Sequence, residues 1–330
     1  MRKIALDADP GVADALALAF ALFDPDVEIV AVTSVGGWVD SQTSARNLQS
    51  LVAFLDPPRL PRIGVENARL DDVAKKKRDV NPIIKEAARD FERTNFNDIN
   101  GFALPVVERF SPHSAATILR DAVRSHPRET SILALGPLTN VARAFRRDPE
   151  LPFLLDRLVV AGGGVPFNSP TNATEFNIVC DRQAARVVFQ APCAKTFVPA
   201  DAAAELVFSF DDLRTFEARD DAVGEFLRRS LLEILRARRR TQGSEVVCLQ
   251  EFAAYFALVS PQLFSTIEAY SADEFYGNAL RFANADQRRV PARRRPDVEI
   301  VRHLDADAVR QKIVDGLRRI VERTRSRFAQ

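Results

Sequence analysis

Short β-branched runs alternate with longer helical segments from the start of the chain. Residues 3–8 and 27–35 have the composition of buried strands, while residues 12–23 and 41–55 have that of helices. Strands that alternate with helices pair in parallel, because each helix carries the chain back across a face of the sheet. Each crossover is expected to be right-handed. The pattern predicts an α/β fold with a mostly parallel, open, twisted sheet and helices on both faces.

The same alternation continues to the end of the chain after one interruption. Residues 56–112 carry prolines and a charged run, and they predict a short strand, a helix over 82–92 and loops. Beyond them the pattern predicts helices at 113–125, 138–147, 181–189, within 211–239, at 251–259 and 306–324, and strands at 130–135, 158–161, 196–198 and 298–302. No internal repeat or low-complexity linker divides the chain, so we expect one domain over residues 1–330.

Composition excludes several classes of function. Lys plus Arg number 46 against 45 Asp plus Glu, so no bulk charge favours nucleic acid or an anionic membrane. The chain lacks an uninterrupted apolar stretch of about 18 residues, and its N-terminus lacks the apolar core of a signal peptide. The three cysteines are widely spaced and odd in number, which is typical of reduced thiols. These features predict a cytoplasmic protein that binds neither nucleic acid nor membrane.

A group of aspartates follows the first predicted strand. Asp7 and Asp9 share one face of the strand end, Pro10-Gly11 predicts a turn, and Asp14 falls in the first turn of the next helix. Converging carboxylates repel unless a cation neutralises them, and oxygen ligands favour Ca²⁺ or Mg²⁺. An alternative interpretation needs no metal, since an acidic residue in a first turn also complements the helix dipole.

Several motifs in the same order resemble the inosine–uridine nucleoside hydrolase family. The family opens with D-x-D-P-G-x-D-D after an apolar strand, and this chain has DADPGVAD at residues 7–14. Further similar stretches are IVAVTSVGGWV at 29–39, ALGPLTNVA at 134–142, the EFN motif at 175–177, VPAD at 198–201 and the segment 251–261. Together they cover nearly the whole chain, so the resemblance implies the family's α/β fold.

The resemblance also implies a metal site and a mechanism. In the family a Ca²⁺-bound water attacks the anomeric carbon of a nucleoside. By resemblance Asp9 ligates Ca²⁺ and acts as general base, and Asp14 and Glu251 ligate Ca²⁺ through their carboxylates. Thr139 offers its backbone carbonyl, and Asp7 supports the ligands from behind. The implied partners are a small nucleoside-like substrate and further copies of the chain, as a homodimer or homotetramer.

Substrate-binding positions combine retained and altered residues. Glu175 and Asn177 match the residues that hold the sugar hydroxyls. A sugar-binding Asn of the family falls at Ser169, and Asn168 or Asn172 could replace it. Trp38 stands where the family has Asn. An aromatic ring there could stack on a base or fill the sugar pocket.

Two further departures concern catalysis directly. The family's first Asp of the D-D pair, which grips the ribose 2′-hydroxyl, is Ala13. The family's His-Asp pair reads Gln250-Glu251, and Gln250 cannot donate a proton to the leaving base. Gln250 is nevertheless expected to line the substrate site.

These observations leave three hypotheses for function. The first is Ca²⁺-dependent hydrolysis of the N-glycosidic bond of a ribonucleoside or related N-riboside, with an atypical substrate. The second is a catalytically degenerate protein of the same fold that binds a ligand or regulates a partner. The third is cleavage of a related glycosidic bond in another small molecule. Retention of a costly carboxylate group favours an enzyme over a binding protein.

Overall fold

The protein is built around a nine-stranded sheet in the order β10-β9-β11-β6-β5-β4-β1-β2-β3. The computed structural model describes residues 1–37, 39–66, 104–105, 107, 113–162, 176–216, 222–276, 279–284 and 297–328. The strands are β1 Arg2–Ala8, β2 Val27–Ser34, β3 Arg62–Val65, β4 Thr130–Ala134, β5 Leu158–Ala161, β6 Lys195–Val198, β7 Val207–Ser209, β8 Val246–Cys248, β9 Phe264–Tyr276, β10 Ala279–Asn284 and β11 Val298–Leu304.

Helices lie between most of these strands. They are α1 Val12–Phe23, α2 Ser41–Leu55, α3 Ala115–Ser125, α4 Thr139–Arg147, α5 Leu151–Leu154, α6 Phe176–Val179, α7 Arg182–Gln190, α8 Ala200–Ala203, α9 Ala222–Gln242, α10 Gln250–Val259 and α11 Ala306–Phe328, with 3₁₀ turns at Phe210–Phe216 and Pro261–Leu263. The predicted helix over 82–92 lies outside the described residues. None of the helices in the described ranges is both long and apolar enough to cross a bilayer.

Strand pairing confirms the predicted parallel sheet and adds an antiparallel edge. Seven strands, from β3 to β11 in the sheet order, pair in parallel, while β9 and β10 pair antiparallel at one edge. The sequence pattern did not predict this edge, because charged residues such as Glu268 and Asp273 break any apolar run there. The separate β7–β8 ribbon was also not predicted.

Two apolar layers cover the two faces of the sheet. Ile4 and Leu6 of β1 pack into one layer with α1, α9, α10 and α11, while Ala5 points into the other with α3, α4 and α7. A strand buried on both faces alternates its side chains between two cores, which is why β1 reads as a continuous apolar run. The prediction of helices on both faces is therefore confirmed. One domain over residues 1–330 stays a prediction.

Candidate active site

The first strand lies where the strand order reverses. Chain order runs outward from β1 through β2 to β3 on one side, and through β4 to β6 on the other. Loops after β1 and β4 therefore leave in opposite directions, and the crevice between them is where open α/β sheets bind ligands. Asp7 pairs with Ala134 of β4 and with Thr33 of β2, so the aspartates stand at this crevice.

The turn from Asp9 to Asp14 is held by backbone and side-chain bonds. Asn47 of α2 donates from Nδ2 to the Pro10 carbonyl at 3.0 Å. The Gly11 amide donates to Asp14 Oδ2 at 3.2 Å, which folds the Asp14 side chain back over the start of α1. This bond is the helix-start role expected by the interpretation without a metal. It uses one carboxylate oxygen, and Asp14 Oδ1 is buried with no hydrogen-bond partner among the described residues.

Carboxylates from two distant parts of the chain act on Asp14 here. Asp9 is 2% exposed and Asp14 is 8% exposed. Burial raises the pKa of Asp14 well above its ordinary value, and the negative charges of Asp9 and Glu251 raise it further. Burial also raises the pKa of Glu251, whose Oε2 lacks a hydrogen-bond partner in the described part of the chain. Glu251 lies in the first turn of α10, so the fold brings this helix against the β1–α1 turn.

Asp7 lies beneath this group and is fully buried. Its Oδ1 accepts from Thr33 Oγ1 at 2.6 Å and from Asn140 Nδ2 at 2.9 Å, and Asn140 also donates to the Ser34 carbonyl at 3.0 Å. Burial raises the pKa of Asp7 to about 7, although these two hydrogen bonds oppose the shift. Asp7 thus ties β1 to β2 and to the start of α4, which suits the supporting role predicted for it.

Glycines from two loops pack directly against the Asp9 carboxylate. A Cβ added to Gly37 would lie 1.8 Å from Asp9 Oδ2, and one added to Gly136 would lie 2.6 Å from Asp9 Oδ1. Neither position can carry a side chain unless the Asp9 carboxylate moves. Neither glycine was predicted as a site residue, although both lie inside the motifs at 29–39 and 134–142. They restrict where the carboxylate can lie.

Thr139 is held by Asp181, a residue that was not predicted to belong to the site. Its Oγ1 donates to Asp181 Oδ2 at 2.9 Å, and Asp181 Oδ1 accepts from the Ala184 amide at 3.0 Å at the start of α7. The Thr139 hydroxyl is therefore engaged by the protein. The metal-binding role predicted for its backbone carbonyl stays a prediction.

Two of the predicted substrate-binding amides bond to strand ends. Asn177 Nδ2 donates to the Leu135 carbonyl at 2.7 Å and to the Ala161 carbonyl at 3.3 Å, and Gln250 Nε2 donates to the Val198 carbonyl at 2.9 Å. Their amide oxygens are the atoms left for a sugar or base. The other predicted substrate-binding residues, Trp38, Asn168 and Glu175, lie outside the described residues.

The oxygen atoms of the site have the chemistry that a hard cation requires, although they do not form a complete coordination shell. Buried, unpartnered oxygens of Asp14 and Glu251 lie beside the restrained Asp9 carboxylate, and oxygen ligands are what Ca²⁺ and Mg²⁺ prefer. Within the described ranges, however, no three His, Cys, Asp or Glu side chains are arranged so that they could hold a metal ion. The metal-binding roles of Asp9, Asp14 and Glu251 stay predictions.

A parallel α/β sheet with buried carboxylates at its reversal point defines the class of protein. The chain belongs to the inosine-uridine preferring nucleoside hydrolase family, whose sequence model matches residues 4–311. It is accordingly a hydrolase of the N-glycosidase type, and membership of this family supports ribonucleoside hydrolysis and implies a metal cofactor. The resemblance identified from the motifs is confirmed.

Individual relatives agree with this assignment. The pyrimidine-specific ribonucleoside hydrolase RihA of Salmonella enteritidis PT4 is 28% identical over 278 residues, which are 83% of this chain and 85% of that protein. The purine-preferring ribonucleoside hydrolase of Gardnerella vaginalis superposes with a TM-score of 0.83 at 22% identity, covering 97% of this chain and 99% of that one. The plant nucleoside hydrolase PpNRh1 superposes with a TM-score of 0.78 at 23% identity, covering 96% and 98%. At these identities the two structures establish a shared fold.

Proposed function

We propose that the protein hydrolyses the N-glycosidic bond of a ribonucleoside or related N-riboside and requires Ca²⁺ for this reaction. The observation that carries the proposal is the burial of Asp9, Asp14 and the Oε2 atom of Glu251, together with the charges of Asp9 and Glu251, which raise the pKa of Asp14. Such a group is costly in a protein interior unless a cation neutralises it. Family membership adds the reaction class.

Roles follow from the chemistry of each group. The carboxylates of Asp9, Asp14 and Glu251 and the backbone carbonyl of Thr139 would hold the cation, which, when bound, lowers the pKa of water. Asp9 accepts the proton of the attacking water. Gly37 and Gly136 restrict where its carboxylate can lie. By resemblance, Glu175, Asn177 and Asn168 would hold the sugar, and the ring of Trp38 could stack on a base or fill the sugar pocket.

The substrate is proposed to be atypical in its sugar, its leaving group or both. Ala13 is partly buried and packs against apolar residues, so it offers nothing polar to a 2′-hydroxyl. Gln250 cannot protonate a leaving base, and its amide nitrogen is bonded to the Val198 carbonyl. An N-riboside whose leaving group departs without protonation, or a sugar bound without its 2′-hydroxyl, suits these residues.

Hydrolysis of p-nitrophenyl riboside tests the proposal, because its leaving group needs little protonation. We expect turnover with Ca²⁺, loss of turnover in excess chelator, and recovery when Ca²⁺ is restored. A panel of nucleosides should be cleaved more slowly than the nitrophenyl substrate. Tight binding of nucleosides with no hydrolysis of any substrate would contradict the proposal and favour the degenerate, ligand-binding alternative.

Restoring a carboxylate at position 13 should restore recognition of the 2′-hydroxyl. We expect Ala13→Asp to raise kcat/KM for uridine by about tenfold or more, since a hydrogen bond to a charged group contributes about 1.5–3 kcal/mol. The value for 2′-deoxyuridine should stay unchanged. Ala13→Asn is the matched control for size without charge. An equal gain on both nucleosides would show that the 2′-hydroxyl is not the group recognised.

The proposal also covers where the protein acts and how it assembles. We propose that the chain acts in the cytoplasm, which fits its three cysteines, all of them described residues and none of them in a disulfide. We also propose that it assembles as a homodimer or homotetramer. Light scattering on the purified protein tests the assembly directly.

A further inference from the structure

A buried ion pair links the third strand to the fourth helix beside the candidate site. Glu66 follows β3 directly, and its Oε1 lies 3.1 Å from Arg143 Nη1 of α4. The Glu66 side chain is 7% exposed and the Arg143 side chain 13% exposed. Because both side chains are largely removed from water, the ion pair restricts where each of them can lie.

The second oxygen of Glu66 holds the loop that follows β2. Glu66 Oε2 accepts from the backbone amide of Gly36 at 2.7 Å, while the Glu66 amide donates to the Ser34 carbonyl at 2.9 Å. On the other side of this turn, the Gly37 amide donates to the Val39 carbonyl at 2.8 Å. The carboxylate and the backbone amide of Glu66 therefore connect this turn to the end of β3.

The backbone of this turn lies directly against the Asp9 carboxylate. A Cβ at Gly37 would overlap Asp9 Oδ2, so the Gly37 backbone forms one wall of the space that the Asp9 carboxylate occupies. The pair also lies close enough to Asp7 for both charges to act on it. Burial is the main influence on the pKa of Asp7, and Glu66 raises that pKa while Arg143 lowers it.

We propose that the Glu66–Arg143 ion pair is a positioning device for the reaction, because it holds the Gly36–Gly37 turn against the Asp9 carboxylate. This inference rests on the proposed role of Asp9 and adds two residues that touch neither substrate nor cation. Residues that orient a ligand from behind change metal affinity or activity by about 10- to 100-fold when mutated.

Glu66→Ala tests the inference with two measurements. Without added cation, hydrogen–deuterium exchange at the Gly36 amide should accelerate at least about tenfold, because its acceptor is gone. In a calorimetric titration, the Kd for Ca²⁺ should rise by about 10- to 100-fold. Arg143→Met should move both quantities in the same direction. Glu66→Gln, which keeps an acceptor oxygen but not the charge, should give intermediate values and replaces the alanine variant if that one does not fold.

Matched controls separate positioning from general stability. Glu129→Ala breaks the Lys3–Glu129 ion pair at the opposite end of β1 and should change neither quantity. Gly37→Ala disturbs Asp9 directly and should weaken Ca²⁺ binding as Glu66→Ala does. Wild-type exchange at Gly36, or an unchanged Kd for Ca²⁺ despite a lower Tm, would overturn the inference. If the wild-type protein takes up no Ca²⁺, the proposed function fails. The exchange measurement at the Gly36 amide then tests by itself whether the ion pair holds the Gly36–Gly37 turn.

Discussion

Replacing Asp9 by asparagine is expected to lower kcat for p-nitrophenyl riboside by a factor of about 10²–10⁴, the range that a general base contributes. Asparagine has the same shape, so it fits between Gly37 and Gly136 without displacing either loop. Its amide oxygen can still contact a cation, but it cannot take a proton from water. We therefore expect the loss in kcat at saturating Ca²⁺, while loss of a charged ligand also raises the Kd for Ca²⁺, as for Asp14→Asn.

The control for this variant is Asp156→Asn. Asp156 accepts a hydrogen bond from Ser131 Oγ at 2.7 Å, near the start of β4 and thus at the opposite end of the strand from the candidate site. An asparagine oxygen can accept the same bond, so activity should stay at the wild-type level. Retention of more than about a tenth of kcat by Asp9→Asn would rule out Asp9 as the general base.

Replacing Asp14 by asparagine should have opposite effects with and without the cation. With Ca²⁺, loss of a charged ligand should raise the Kd by at least the 10- to 100-fold seen for outer residues of metal sites. In excess chelator, the same change should increase the free energy of unfolding at pH 8, because burial and the charges of Asp9 and Glu251 disfavour an ionised carboxylate at this position, and asparagine carries no charge. Glu251→Gln should behave in the same way. A variant that loses stability in chelator would contradict this expectation.

The pH dependence in chelator has a defined sign. In the folded protein the pKa of Asp14 lies well above the ordinary 3.8, through burial first and the charges of Asp9 and Glu251 second. The folded state therefore keeps a proton that the unfolded chain has released, so the free energy of unfolding falls as pH rises above about 4. Asp14→Asn should reduce this fall, as measured by denaturant unfolding from pH 4 to 8.

Asp148 provides a control in which mutation should change the free energy of unfolding in the opposite direction. Its pKa is lowered below 3.8, mainly by the hydrogen bond from Arg124. Its contribution to stability is present at neutral pH and is lost as pH falls through the folded pKa. Asp148→Asn should therefore destabilise the protein at pH 8, where Asp14→Asn stabilises it.

Local sequence determined the parallel part of the fold and the three aspartates of the candidate site that lie around the first turn. Apolar runs and helical periods act over a few residues, so β1, α1, β2 and α2 could be predicted from them. Asp7, Asp9 and Asp14 lie within one turn, and their convergence needs only the geometry of a strand end, a Pro-Gly turn and a helix start. The antiparallel edge was missed because polar residues obscure the period of β9.

Only the tertiary structure decided which distant residues meet these aspartates. Glu251 acts on Asp14, Asn140 bonds to Asp7, and Glu66 pairs with Arg143, because β1 lies between β2 and β4 in the sheet. The resemblance suggested Glu251 as a ligand, but no local pattern predicts that Gln250 and Asn177 use their amide nitrogens on strand ends. The order of the strands depends on how the helices pack across the whole sheet. No short segment of the sequence determines the free energy of that packing.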